Sequence, residues 1–533
     1  MTSNQNKSAR KQPIQKEHIV AYLEILDYEK KMQTHQESDL LLAQLAYIYK
    51  DVIKWPDMVK AGGHPDISVK IFSHNVLIAM ETGDDDHYPA NCYSVAQFCA
   101  TFQTMALTYG LLLHGAITVG KFVEKEYQSL FAYGEALVNA YKLTTKDSVL
   151  PRIVIDKCIF RNASPEALLK NETLSEMYQH SEDGIYFLNQ FCTFKSFKKQ
   201  YTQRIPQILT EIREMLLSEY AKTLMDKSIS SEKHYFTLNQ FNKYCSNHKE
   251  YEDLKIAVEI FDTPWIMPNK PRAELKTILD KNPPQSFNPP LQSEYIVAHI
   301  DFLGAAKKMS SPEKSDDFLK QIYNIYLSAL EILGTKTKTE HSDFKVKIYS
   351  DNIVFAYQVD SQSILSKFLC VVGFCNAIQI IAIEQGLPVR GAITFGDFFA
   401  DGIFVYGEAL VRTHKLEQEA IFPRVVIDST ANLYDFFPSN DEYYQMVIKK
   451  DDDGLWYADY LGCLFPPEPY IPPEDHQKLI FRIRDGIIRN YTSAPTSKVA
   501  KKYKWMIKKF NIACLKYPRY TISQTDIAEV MYE

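Results

Sequence analysis

No Cys-x-x-Cys pair occurs in the 533 residues, so a structural zinc site built on paired thiolates is not expected. The nine cysteines are scattered and odd in number, which fits a reducing compartment rather than a disulfide framework. The first residues, MTSNQNKSARKQPIQKEH, are polar and basic and lack an apolar core segment, so no secretory signal is expected. No apolar run reaches the roughly 20 residues that span a bilayer. The longest, Phe368 to Ile383, carries Asn376 and Gln379 and reads as a buried core helix. An excess of one charge is missing too. The 60 Lys and Arg against 66 Asp and Glu leave a net −6, which calls for neither nucleic acid nor an anionic membrane as partner. A cytoplasmic chain is expected. What is present is apolar: 46% hydrophobic and 13% aromatic residues suffice for large cores, with disorder confined to the ends. At about 150 residues per domain the length suggests three or four units.

The dominant feature is internal similarity, the first thing to seek because it alters every later assignment. HIVAYLEILDY from His18 matches YIVAHIDFLGA from Tyr295, and VKIFSHNVLIA from Val69 matches VKIYSDNIVFA from Val346. HGAITVG from His114 matches RGAITFG from Arg390. YGEALV then PRIVID, from Tyr133 and Pro151, match YGEALV then PRVVID, from Tyr406 and Pro423. The offset is 277 at Val69/Val346 and 272 at Pro151/Pro423, so order is kept with only small gaps. A weaker pair is EDGIYFL near Asp183 and DDGLWYA near Asp453. A tandem domain duplication is expected, far longer in period than a solenoid. The expected boundaries are a flexible N-terminus over 1–17, a first domain over 18–195, and a helical extension and linker over 196–290. A second domain over 291–472 and a C-terminal helical extension over 473–533 follow. The linker contains the turn-rich KNPPQSFNPP, Lys281 to Pro290.

Each half predicts the same elements. IVAYLEIL and IVAHIDFL are apolar, β-branched runs of a buried first strand. An amphipathic helix follows, then two strand-like runs around a polar turn, a hairpin signal. A long apolar helix ends near Gly110 and Gly386. RGAITFG reads as a strand, GEALVRTHKLE as a helix and FPRVVID as a strand. The order β-α-β-β-α-β-α-β predicts a mixed α/β fold, an α+β ferredoxin-like sandwich with additions.

Asp301 falls at the end of the first strand of the second half, and Asp351 at the tip of the neighbouring hairpin. Two carboxylates at adjacent strand ends suit one or two Mg²⁺ or Mn²⁺ ions, which prefer oxygen ligands and substrate phosphates. Such ions lower the pKa of an attacking hydroxyl and neutralise phosphoryl charge. Both residues also fit as turn formers or caps. The matched residues of the first half are Glu24 and His74, and histidine is a poor Mg²⁺ ligand, so that copy is expected to be degenerate.

These blocks resemble the class III nucleotidyl cyclases, in particular a bacterial branch with FLDILGF, FSDSI, RGAITxG and GEALxxAYxLE motifs. The resemblance covers most of both halves. It implies that Asp301 and Asp351 are the metal-binding aspartates. RGAITFG is similar to the family's RVGIHTG strand, and YGEALVRTHKLE to its WGDTVNLASRME helix. In this family metals come from one domain and the base and transition-state contacts from the other. That implies an intramolecular pseudo-heterodimer, with further oligomerisation open. It also implies a nucleoside triphosphate as substrate, with Lys70 at the purine and Lys142 at the α-phosphate. The family's helix asparagine is Val138 here, and Val411 in the other half; its adenine-reading aspartate is Phe131. The base is therefore left open. A second, pseudo-symmetric set would pair Glu24 and His74 with Lys347 and Lys415. Read from the residues alone, Lys70 is a strand residue, Lys142 and Lys415 are solvated helix residues, and Arg390 forms an ion pair. The resemblance implies a lyase that forms a 3′,5′-cyclic nucleotide and pyrophosphate, with a role in signalling such as anti-phage defence. The alternative is an inactive, cyclase-like nucleotide sensor or scaffold. A dinucleotide-forming relative would carry a Gly-Gly-Asp-type turn where Ser350-Asp351-Asn352 stands.

Overall fold

A computed structural model describes residues 14–32, 34–53, 67–127, 129–147, 150–161, 177–197, 199–226, 230–256, 290–308, 312–332, 344–360, 363–429, 447–465 and 473–527. Apart from Pro290, the expected linker lies outside them. The chain divides into two compact units. The N-terminal unit comprises Lys16–Lys121 and Ala136–Leu291. The C-terminal unit comprises Gln292–Glu533 together with Met1–Gln15 and Phe122–Glu135.

The N-terminal unit runs β1 (Lys16–Ile25), α1 (His35–Ile53), the hairpin β2 (Ser68–Phe72) and β3 (Asn75–Glu81), then α2 (Tyr88–Thr108) and the first part of β4 (Leu113–Tyr127). It resumes with α3 (Glu135–Asp147), β6 (Ile153–Ile155), β7 (Tyr178–His180) and β8 (Tyr186–Leu188). Its strand order is β2-β3-β1-β4-β6-β8-β7. The pairings are antiparallel at β1–β3, β2–β3, β6–β8 and β7–β8, and parallel at β4–β6. Helices α4 (Ile205–Asp226) and α5 (Ser230–Asn247) bury an apolar face with Phe191, Phe194 and Leu107.

The C-terminal unit repeats this order. It has β9 (Ser293–Phe302), α6 (Pro312–Ile332), the hairpin β10 (Phe344–Tyr349) and β11 (Asn352–Gln358), α7 (Ile364–Glu384) and β12 (Val389–Ala400). Then follow β13 (Phe404–Tyr406), α8 (Glu408–Glu419), β14 (Val425–Ile427), β15 (Ile448–Lys450) and β16 (Trp456–Ala458). Its strand order is β10-β11-β9-β12-β14-β16-β15. Strand β9 is buried along both faces, hence its nearly unbroken apolar run. Phe302 meets Phe318 of α6 from one face (6.2 Å), and His299 meets His414 of α8 from the other (5.4 Å). By composition α7 is long and apolar enough to cross a membrane, yet half of its most apolar stretch is buried. Within it Gln379 donates to the Asn376 side chain at 3.4 Å.

Each half adds strands to the expected order, β7 and β8 in the first and β13, β15 and β16 in the second, and one further addition falls in the other unit. β4 runs past RGAITFG's counterpart to Tyr127 and returns as β5 (Ser129–Tyr133). Residues Phe122–Glu135 belong to the C-terminal unit, where β5 lies parallel to β10, with Phe131 opposite Ile348. Tyr133 Oη donates to the Ser315 carbonyl at 3.1 Å. No local signal in the segment SLFAY names a partner over 200 residues away.

The C-terminal extension, α9 (Glu474–Thr492) and α10 (Ser497–Ala513), is anchored by charge as well as by an apolar cluster around Trp505, Met506 and Phe510. Arg424 is fully buried and pairs with Asp451 and Asp453. Asp451 also accepts from Trp505 Nε1 at 2.9 Å and pairs with Lys509 at 2.5 Å. Burial alone would push the Asp451 carboxyl up; Lys509, Arg424 and Trp505 outweigh it and hold it below the usual range. Replacing Arg424 removes a fully buried partner of Asp451 and leaves Lys509 and Trp505 to hold that carboxylate, so Arg424→Met is expected to cost about 3 kcal/mol in denaturant unfolding followed by Trp fluorescence. Asp453→Asn, at a partly exposed partner, should cost under about 1 kcal/mol. Equal losses would contradict this account.

Candidate active site

The hairpin tip in each half uses the same backbone device. Ser350 adopts φ 54° and Ser73 φ 53°, a left-handed turn that L-residues rarely take without support. In the C-terminal unit the Ser350 N–H donates to the Ala132 carbonyl of β5 at 2.8 Å, and the Phe302 N–H donates to the Asp351 carbonyl at 3.1 Å. Asp351 is thus fastened to the end of β9. Asp301, on β9, faces Asn352 on one neighbouring strand and Arg390 on the other.

The close approach of β9 and β12 depends on Gly391, where a Cβ would lie 2.4 Å from the His299 carbonyl oxygen. Gly115 stands in the same relation to Tyr22, at 2.5 Å. This brings Arg390 against Asp301: its Nε lies 3.1 Å from the Asp301 carboxylate and 2.5 Å from that of Glu417 on α8. Burial, then the Asp301 charge, push the Asp351 carboxyl up to about 6. Burial also pushes Glu417 up to about 7, with Arg390 opposing and Asp301 and Asp351 adding to the rise. The donor set is hard oxygen, and its negative charge is only partly balanced by Arg390. Asp301 and Asp351 therefore fit Mg²⁺ or Mn²⁺.

The first half fills the matched positions differently. Glu24 lies 3.7 Å from His74 and 3.5 Å from His114. Burial raises the Glu24 carboxyl, but His114 and His74 outweigh that and lower it overall. The His74 ring stacks on Tyr28 at 3.4 Å. The carboxylate is already matched by imidazoles rather than left for a hard cation.

Of the other residues singled out by sequence, Lys70 is buried on β2, opposite Leu77. On α3, Lys142 is exposed and Val138 half-buried. Phe131 has its backbone in β5, and its side chain lies outside the described set. Lys347 Nζ donates to the Asp401 carbonyl at 2.5 Å, and Lys415 is exposed on α8. Sequence reading did not single out Glu417, His299 or His414. Only the three-residue spacing of His414 and Glu417 on one helix face hinted at them.

In the metal-free protein Asp351 carries a folded-state pKa above its unfolded one. Its protonation therefore stabilises the fold fully below about pH 4, and that stabilisation is lost as pH rises through about 6. In EDTA at pH 7.5, Asp351→Asn should be more stable than the parent by about 1–3 kcal/mol, with the gap closing by pH 4.5. A gap independent of pH would refute the shifted carboxyl.

No family model and no curated protein matches this chain. Solved structures similar to it include a class III adenylyl cyclase-like ATP-binding protein from Pseudomonas aeruginosa. That match has 11% identity and TM-score 0.43, covering 83% of this chain and 88% of that one. The monomeric guanylyl cyclase domain of the RhoGC fusion protein from Blastocladiella emersonii matches at 13% identity and TM-score 0.23. It covers 33% of this chain and 98% of that one.

Proposed function

We propose that the chain is a duplicated nucleotidyl cyclase whose C-terminal half holds the catalytic metals. The supporting observation is the Asp301–Asp351 arrangement, two carboxylates fastened to adjacent strand ends and short of positive charge. Bound there, Mg²⁺ or Mn²⁺ would activate the substrate's 3′-hydroxyl and neutralise charge on the α-phosphate. In the reaction the 3′-oxygen bonds to the α-phosphorus, the bond to the β-phosphate breaks, and pyrophosphate leaves. The hydroxyl proton passes to solvent. Arg390 orients the Asp301 carboxylate by donating from Nε.

A second reading, a nucleotide-binding pseudoenzyme, is favoured by one observation: Arg390 already occupies part of Asp301. The full chain incubated with each of the four nucleoside triphosphates and Mn²⁺ separates the two. The cyclase reading expects pyrophosphate and a cyclic product from at least one substrate. Product should fall at least about 100-fold in Asp351→Ala. Nucleotide binding without product would establish the second reading, and undiminished activity in Asp351→Ala would end the first.

A further inference from the structure

A second cluster lies beside the carboxylate pair, and cyclase chemistry does not call on it. His299 stands two residues before Asp301 on β9, on the same strand face. His414 and Glu417 are three residues apart on α8, which packs on β9. One ligand atom from each of the three lies within 4.8 Å of the others. His299 is 6% exposed, and its Nδ1 has no hydrogen-bond partner, an uncommon state for a buried polar atom. Glu417 is 2% exposed. One of its oxygens meets Arg390, and the other faces His414 Nδ1 at 3.8 Å. His414 is half-exposed, which gives the cluster an opening to solvent.

The matched positions of the first half make the contrast. The block offsets place Tyr22, Tyr141 and Thr144 opposite His299, His414 and Glu417. Tyr22 and Tyr141 pack edge-on at 5.6 Å, as His299 and His414 do at 5.4 Å. Thr144 closes its own hydrogen bonds on the Tyr22 and Ala140 carbonyls. The same scaffold thus holds a self-satisfied aromatic pair in one copy. In the other, all three positions carry residue types that bind metal.

We propose that His299, His414 and Glu417 form a binding site for a borderline dication of the Zn²⁺ class, distinct from the oxygen site at Asp301 and Asp351. Two imidazoles and one carboxylate, with a further position open to solvent, match the ligand preference of such ions and not that of Mg²⁺. The surrounding charge permits it. The carboxyl groups of Asp301, Asp351 and Glu417 outnumber the cations Arg390 and Lys502 that act on Glu417. Occupancy would tie α8 to the central strand next to Asp301.

The test uses the full-length chain, stripped with a chelator and titrated with Co²⁺ in excess Mg²⁺, which occupies oxygen sites. One Co²⁺ per chain should give visible d–d bands, and Zn²⁺ should abolish them. His414→Ala changes a half-exposed residue and should leave the circular dichroism unchanged. It should weaken Co²⁺ binding by more than the roughly 10–100-fold cost of losing an outer-shell partner. Asp351→Asn should keep the bands. A second variant, His414→Tyr with Glu417→Thr, copies the other half and should also lose them. Absence of stoichiometric Co²⁺ in the parent, bands that survive His414→Ala, or bands lost in Asp351→Asn would each overturn the proposal.

Discussion

The register of β9 between its two neighbours is the constraint on which the C-terminal site rests. Asp301 stands opposite Arg390 on β12 and Asn352 on β11, so one strand position sets the distance to both the cation and the hairpin carboxylate. A slip of one residue would turn Asp301 and His299 to the other face of the sheet. Two features resist it. Gly391 allows a backbone approach that no side chain would permit, and the six core residues Tyr295–Ile300 leave β9 no solvent-facing alternative.

The same backbone carries two electrostatic solutions. In the first half a single carboxylate, Glu24, is matched by two histidines. In the second half the histidines at the hairpin tip and on the RGAITFG strand are replaced by Asp351 and Arg390. Carboxylates then outnumber nearby cations, and Asp351 and Glu417 bind protons more tightly than free side chains do. Charge at this place is thus a property of three or four positions, while the scaffold around them is indifferent to it.

Strands and helices with strong periodicity could be read directly from the chain. The apolar runs of β1 and β9, the Ser-Asp-Asn turn and the Tyr-Gly-Glu-Ala-Leu-Val helices announce themselves by composition alone. Asp301 and Asp351 were legible because polar residues interrupt apolar strands where strands end. His299 was not, since one imidazole inside IVAHIDFL looks like an ordinary core residue until α8 is placed over it. Glu417 was hidden for a similar reason: a helix of low hydrophobicity gives no sign of which charged residue it buries. β5 was not read from the sequence as an element, because pairing across so long a separation is decided by tertiary packing rather than local sequence.

That strand has a consequence for how the chain is made. Ser129–Tyr133 leaves the ribosome early, yet its partner β10 and the Ser315 carbonyl that receives Tyr133 are synthesised some 200 residues later. Through that interval the edge of SLFAY that faces away from its hairpin partner β4 waits unpaired, the kind of edge that invites foreign strands. The hairpin partner β4 carries Glu124, Lys125 and Glu126, and charged residues are among the devices that blunt an open edge. The chain's assembly is therefore ordered in time, with a strand of its earlier half completed by its later one.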